Sequence, residues 1–406
     1  MVPDAGAAAP VAERPFQLMT KPIGPTCNLG CEYCFYLEKD ALYPDTTDFR
    51  MSETTLERYV EAYLAAQPGP EVTFVWQGGE PTLLGVDFFR RVVELQRELA
   101  PAGQQVHNAL QTNGTRLDDE WCRFLARHDF LVGLSLDGPA ALHDAYRVAK
   151  DGSPVFDRVL AGLTRLQTHD VAYNVLCVLN DRNSRHPLEV YRFFTALGVE
   201  WLQFIPLVEP ADGPTGGATP VSDRSVDPRA YGEFLCTVFD EWVRHDVGAV
   251  SVRSFDQCLL AWLPGGRPDL CVFNETCGRQ PAIEHNGDVY SCDHFVEPGY
   301  RLGNVHETPL ATLVDGRQQR AFGAFKRESL PADCRACSVR SVCHGGCPKD
   351  RLLEPPDGGL PRNYLCAGYR RFFGHVAPYM PYLVPVVQGR AEPEAVMARL
   401  RALDLS

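Results

Sequence analysis

The chain has 406 residues, 45% of them hydrophobic, and carries 39 Lys and Arg against 52 Asp and Glu, a net charge of −13. That length and apolar content are ample for a large core and two or more domains. The acidic balance excludes a basic nucleic-acid face, and no apolar run reaches the roughly 18 residues of a membrane span.

Residues 1–14 are rich in Ala and Pro and lack the charged start and apolar stretch of a signal peptide, so a disordered tail and a cytoplasmic protein are expected. From residue 15, apolar runs alternate with amphipathic stretches. Strands are predicted at Phe16–Ile23, Val72–Gln77, Gln105–Thr112, Leu131–Asp137, Val171–Leu179 and Trp201–Leu207, and helices at about 53–66, 86–99, 118–128, 154–168 and 186–197. Repeated strand–helix units imply a parallel sheet with right-handed crossovers. Six units are too few for a closed eight-unit barrel, so an α/β partial barrel is predicted over 15–250, with its chemistry at the C-terminal strand ends. Residues 209–229 read as a surface loop, followed by a helix at about 229–245. A linker is placed at 251–265. A cysteine-rich domain with a hairpin at Asn286-Gly287 follows over 266–370, then a partly helical tail over 371–406.

Without an export signal, the 15 cysteines point to metal binding or redox chemistry rather than disulfides. Cys27, Cys31 and Cys34 form C-x3-C-x2-C just past the first strand. They supply three ligands to a four-iron cluster that needs four, and an iron left open can bind and activate a small molecule. A zinc site is the alternative, but no fourth Cys or His lies in this loop. Gly78-Gly79-Glu80-Pro81 ends the second strand, where two glycines let backbone approach a ligand and Glu80 can fix a neighbouring loop or a cation. Eight more cysteines cluster later: Cys271, Cys277 and Cys292, then Cys334, Cys337, Cys343, Cys347 and Cys366. Eight ligands suffice for two fully ligated clusters, or for a pair of zinc ribbons. Cys122, Cys177, Cys236 and Cys258 stand alone in apolar contexts and read as buried thiols.

The first cysteine loop resembles that of the radical S-adenosylmethionine (SAM) enzymes, and the GGEP segment one strand later resembles that family's SAM amino-group motif. The resemblance implies a radical SAM partial (β/α)6 barrel in which the open iron chelates SAM and an electron yields a 5′-deoxyadenosyl radical. It maps SAM contacts onto Tyr33, Gly78, Gly79, Glu80, Ser135, Arg147 and Val208. The later cysteines resemble the SPASM extension. By that likeness Cys271, Cys277, Cys292 and Cys347 hold one auxiliary [4Fe-4S] cluster, and Cys334, Cys337, Cys343 and Cys366 a second, making three clusters in all.

The stretch from Asn286 to Asp293 narrows the resemblance to the anaerobic sulfatase-maturating enzymes. WQGGEPTL, LQTNGT, FLVGLSLDGP, NVLCVL, LQFI and RLGNV extend it from about Phe16 to Phe373. The implied reaction oxidises a Cys or Ser of a sulfatase to Cα-formylglycine. The radical would take a β-hydrogen, Asp293 the proton, and the auxiliary clusters the second electron. The implied partners are an unfolded or nascent sulfatase polypeptide and an electron donor such as flavodoxin or ferredoxin. Tyr36 and Gln77 are the expected substrate contacts. A SPASM enzyme that crosslinks or epimerises a ribosomal peptide is the competing reading, and a zinc-binding interaction module a more distant one.

Overall fold

The computed structural model describes residues 10–211, 220–355 and 358–403. By their contacts these divide into two compact units that interleave along the chain. The first comprises the chain up to Leu134, Val148–Tyr173 and Gly278–Ala324; the second comprises Ser135–Arg147, Asn174–Cys277 and the chain from Phe325 onward.

In the first unit, strands β1 (Met19–Lys21), β2 (Glu71–Trp76), β3 (Gln105–Thr112) and β4 (Leu131–Ser135) run parallel. Helices Glu53–Ala66, Val86–Leu99 and Asp119–Arg127 connect them. Two of these helices start at capping side chains: Ser52 accepts from the Thr55 amide, and Asp118 from the Trp121 amide. Their apolar faces bury Tyr59, Tyr63 and Phe89 against Phe74 and Trp76, with ring centroids 4.9–5.9 Å apart. Strand β1 is shorter than Phe16–Ile23 because the preceding backbone is held from outside a ladder. The Phe16 carbonyl accepts from Tyr63 and Gln67, and the Leu18 amide donates to the Tyr63 hydroxyl.

In the second unit β5 (Tyr173–Leu179), β6 (Trp201–Pro206) and β7 (Ser251–Val252) are parallel. Helix Pro228–His245 packs on helix Cys366–Val376, and Gly232 and Gly368 permit the contact. A Cβ on Gly232 would lie 2.8 Å from the Gly368 Cα.

The predicted hairpin forms as β8 (Ala282–Glu284) and β9 (Asp288–Tyr290), extended by β10 (Arg301–Asn304). Strand β8 pairs in parallel with β1, setting Lys21 opposite Glu284. The hairpin therefore belongs to the unit that carries the first cysteine loop, and contacts set no single boundary at 251–265. That stretch, expected as a linker, holds β7 and helix Arg253–Trp262, because Phe255, Cys258 and Leu259 give it an apolar face to bury.

Of the expected tail, residues 1–9 lie outside the described residues, while Ala12 is buried and its amide donates to the Ala66 carbonyl. Residues 212–219 of the 209–229 loop also lie outside; its stem is closed by a 2.8 Å Arg224–Glu209 ion pair. The C-terminal stretch carries helices Met380–Val387 and Pro393–Ala402, with residues 404–406 outside the description. Among the described residues no helix is long and apolar enough to cross a membrane.

Candidate active site

The first cysteine loop leaves β1 and is backed by the glycines that follow β2. Gly79 donates to the Gly24 carbonyl at 2.8 Å, and Glu80 to the Thr26 carbonyl at 2.9 Å. A Cβ on Gly79 would lie 2.0 Å from the Thr26 carbonyl oxygen, so only glycine fits there. The Glu80 carboxylate is fully buried. It accepts from the Thr82 amide and hydroxyl, the Thr112 hydroxyl at 2.7 Å and the Asn113 amide at 2.8 Å. Burial pushes its pKa up against the pull of those four bonds. Of the two roles expected for Glu80, the geometry realises loop fixation: it ties the end of β2 to the loop after β3. From that loop Asn113 reaches Cys27 Sγ at 3.8 Å and Asn28 Oδ1 at 3.0 Å.

Cys27, Cys31 and Cys34 are each half-buried. Burial pushes the Cys27 thiol up to about 12, and the negative charges of Glu80, Cys31 and Cys34 add to it. Neighbouring thiolates repel one another, so a cation is needed to hold all three ionised. Among the described residues no three Cys, His, Asp or Glu side chains are gathered for a single metal ion, and three thiols are the ligand type that a cluster of several irons takes.

A second polar group gathers in the same unit. Lys21, at the end of β1, is 1% exposed and forms an ion pair with Asp293. It also donates to Gln77 Oε1 at 3.0 Å and lies 4.5 Å from the Tyr36 ring centroid. The structure thus joins Asp293, Gln77 and Tyr36, three residues singled out from the sequence, through a lysine that was not. Burial raises the Asp293 carboxyl, but Lys21 and then His294 pull it below the usual carboxylate range. The Tyr36 hydroxyl is spent on Glu284, whose second oxygen stands 3.6 Å from His285 Nδ1. Glu284 was likewise missed: it is fully buried in β8, inside a run that reads as ordinary hairpin strand.

Tyr33 is buried in the cysteine loop of the first unit. In the second unit, Ser135 ends β4, Val208 follows β6, and Arg147 is buried. Arg147, one of the expected SAM contacts, engages Asp137: Nε donates to Oδ2 at 2.8 Å and Nη2 to Oδ1 at 3.2 Å. Asp137 also accepts from the Val178 amide at 2.8 Å, which joins the end of β4 to β5.

Cys334, Cys337, Cys343 and Cys366 line one hollow of the second unit, the same four grouped by resemblance. Burial pushes Cys343 and Cys347 up to about 12. Cys271 and Cys277 lie in this unit and Cys292 in the first. The four lone cysteines Cys122, Cys177, Cys236 and Cys258 are all buried.

Residues 22–194 match the family model of the radical SAM superfamily, and residues 271–338 match that of the SPASM iron–sulfur cluster-binding domain. Together with the parallel α/β sheet, these define a radical SAM enzyme with a C-terminal SPASM domain, not a zinc-binding interaction module. A serine-type anaerobic sulfatase-maturating enzyme of Bacteroides thetaiotaomicron is 41% identical over 97% of each chain. A cysteine-type enzyme of Clostridium perfringens is 34% identical over 90% of this chain and 97% of that one. The solved structure of native anSMEcpe with bound AdoMet and Cp18Cys peptide superposes with a TM-score of 0.83 at 33% identity, covering 92% of this chain and 99% of that chain. The chain belongs to the anaerobic sulfatase-maturating enzymes. Streptococcus suis SuiB bound to its precursor peptide matches at a TM-score of 0.60 and 16% identity, a likeness of fold alone.

Proposed function

We propose that the enzyme oxidises a serine or cysteine side chain of an extended sulfatase segment to Cα-formylglycine, with Asp293 as proton acceptor. The observation that carries this reading is the buried Lys21–Asp293 ion pair, held beside Gln77 and Tyr36 in the unit that bears Cys27, Cys31 and Cys34. An iron–sulfur centre on those cysteines, with SAM on its open iron, supplies the abstraction of one hydrogen atom from the substrate β-carbon.

The chain's own residues do the rest. Gly78 and Gly79 present backbone to SAM, Glu80 locks the loops around it, and Tyr33, Ser135, Arg147 and Val208 are the further SAM contacts. Lys21 keeps Asp293 ionised, which is the form that can accept a proton. The substrate O–H or S–H becomes much more acidic once its carbon bears an unpaired electron, so even a carboxylate held below the usual range can take its proton. Gln77 positions the substrate polar group, and the Tyr36 ring, fixed through Glu284, walls the site. Cys271, Cys277, Cys292 and Cys347, and Cys334, Cys337, Cys343 and Cys366, would hold two auxiliary iron–sulfur centres, which would supply an acceptor for the second electron. Serine yields the aldehyde directly; cysteine yields it after hydrolysis of a thioaldehyde.

The substrate class follows the relatives, whose names divide into serine and cysteine types. Anaerobic incubation with SAM, a reductant and sulfatase-motif peptides tests the reading. The expected product is lighter by about 2 Da from serine or about 18 Da from cysteine. Deoxyadenosine formed without any mass change in either peptide would overturn it. A loss of about 2 Da without a reactive carbonyl, as a crosslink gives, would favour the ribosomal-peptide alternative.

A further inference from the structure

We propose that Lys326 and Arg351 form a buried cation pair that raises the reduction potential of the iron–sulfur centres held by the C-terminal cysteines, which makes those centres able to accept the substrate's electron. This rests on the function proposed above and adds to it two residues that neither spacing nor resemblance singled out.

Lys326, in the last turn of helix Arg317–Glu328, is fully buried. Its ammonium donates to the backbone carbonyls of Cys271 at 2.6 Å, Val272 at 3.0 Å and Asn274. It is therefore wrapped by the segment between Cys271 and Cys277. Arg351 is 8% exposed and follows the Cys343–Cys347 segment. It donates to the Ser329 carbonyl at 3.1 Å and the Lys326 carbonyl at 2.7 Å. Its Nη2 passes 3.2 Å from where a Cβ on Gly345 would stand, inside the loop joining Cys343 to Cys347. Arg351 is thus tied to the Lys326 backbone, and both side chains lie against cysteine-bearing loops.

Their charge has no ordinary counterion. Among the described residues, no ion pair joins Lys326 or Arg351 to a carboxylate, and their hydrogen-bond partners are neutral. A buried cation facing only neutral groups is strongly unfavourable. The cysteines whose loops they touch can carry the compensating negative charge: Lys326 holds the segment from Cys271 to Asn274, and Arg351 lies against the loop from Cys343 to Cys347. Cys271 and Cys347 belong to one assigned set and Cys343 to the other. A thiolate-ligated iron–sulfur centre is anionic and gains one further negative charge on reduction. A fixed buried cation favours that reduced state, because Coulomb interactions are strong in a low dielectric.

The electron balance is simple. The substrate side chain gives up one hydrogen atom, one proton to Asp293 and one electron. The electron enters a centre beside Lys326 and Arg351, where no bond forms or breaks.

The test uses full-length protein carrying Ala at Cys27, Cys31 and Cys34, so that only C-terminal centres load. After anaerobic reconstitution, iron is counted and midpoint potentials are measured by EPR-monitored titration. Lys326→Gln and Arg351→Gln should each shift the midpoint to more negative potential at unchanged iron content, and Lys326→Arg should return it towards the parent. Unmoved midpoints at full iron would overturn the proposal. If Lys326→Gln loses iron and Lys326→Arg restores it, the midpoint of Arg351→Gln decides: a negative shift supports the proposal and an unmoved midpoint overturns it. If both lose iron, Lys326 is a structural clamp and the proposal fails. Aldehyde formation by the wild-type enzyme is scored separately. Its absence would remove the proposed function without altering the measured potentials.

Discussion

Two lysines are buried to the same degree and do different things. Lys21 faces a carboxylate, an amide oxygen and an aromatic ring. Lys326 faces three backbone carbonyls and a set of thiols. Around Lys21 the positive charge is cancelled locally, so its effect is confined to the state and aim of one carboxylate. Around Lys326 it is left to act on whatever negative charge the cysteines carry. The first arrangement suits proton transfer at a defined atom and the second suits storage of an electron. Cysteine number separates the regions in the same way: three in the Cys27 loop, which would leave one iron of a cluster open, against four around the hollow at Cys334.

The largest effect should come from removing the first region's ligands. Replacing Cys27, Cys31 and Cys34 with Ala should abolish deoxyadenosine formation and leave about two thirds of the iron, as expected if two of three clusters remain. Iron analysis and chromatography of the SAM products check this. Loss of nearly all iron would break the comparison, because the two regions would then not load independently.

Asp293→Asn comes next. It keeps the side-chain shape and removes the acceptor. Aldehyde formation should fall by about 10²–10⁴-fold, while deoxyadenosine still forms. The ratio of the two products, measured in one reaction, separates a lost base from a lost SAM site. An unchanged ratio would end the assignment of Asp293.

Lys21→Met tests the local cancellation directly. It strands a buried carboxylate and should cost about 3–5 kcal/mol of stability in denaturant titration. The double variant Lys21→Met/Asp293→Asn should lose less than the sum of the single variants, since the stranded charge is gone. Additive losses would mean that the pair is not coupled.

The same contrast explains what the sequence could reveal. Helices at 53–66 and 86–99 and the strand at 105–112 occur where their periodicity predicts, because each buries a continuous face with its own caps or turns. Asp293 and Glu80 were singled out through the resemblance that the Asn286–Asp293 and GGEP segments carry. Lys21 and Lys326 were not, since a lysine in a short strand or on an amphipathic helix ordinarily reads as solvent-facing. Their partners lie far off in sequence: Asp293 is 272 positions from Lys21, and Cys271 is 55 from Lys326. The pairing of Arg147 with Asp137 was hidden differently. Both lie in one short segment, but only the turn after β4 aims the guanidinium back at the strand end. The placement of the 278–324 segment with the first unit depended on β8 finding the open edge of β1, a choice that hydrophobic pattern leaves undetermined.

Glu80→Gln gives the smallest of these effects and the finest cut between the regions. The Glu80 carboxylate serves four donors: the amide and hydroxyl of Thr82, the hydroxyl of Thr112 and the amide of Asn113. A glutamine offers one oxygen and turns an NH2 group towards the remaining donors, so at least one of them is left unsatisfied in a fully buried site. The cost should be about 1–3 kcal/mol. It falls on the loop through which Asn113 reaches Cys27 and Asn28, and SAM affinity measured by equilibrium dialysis should drop with it. The EPR signals of the C-terminal centres should stay in place, because no contact named here carries Glu80 into the region around Lys326. If those signals moved with SAM affinity, the two buried lysines would belong to one electrostatic system rather than two.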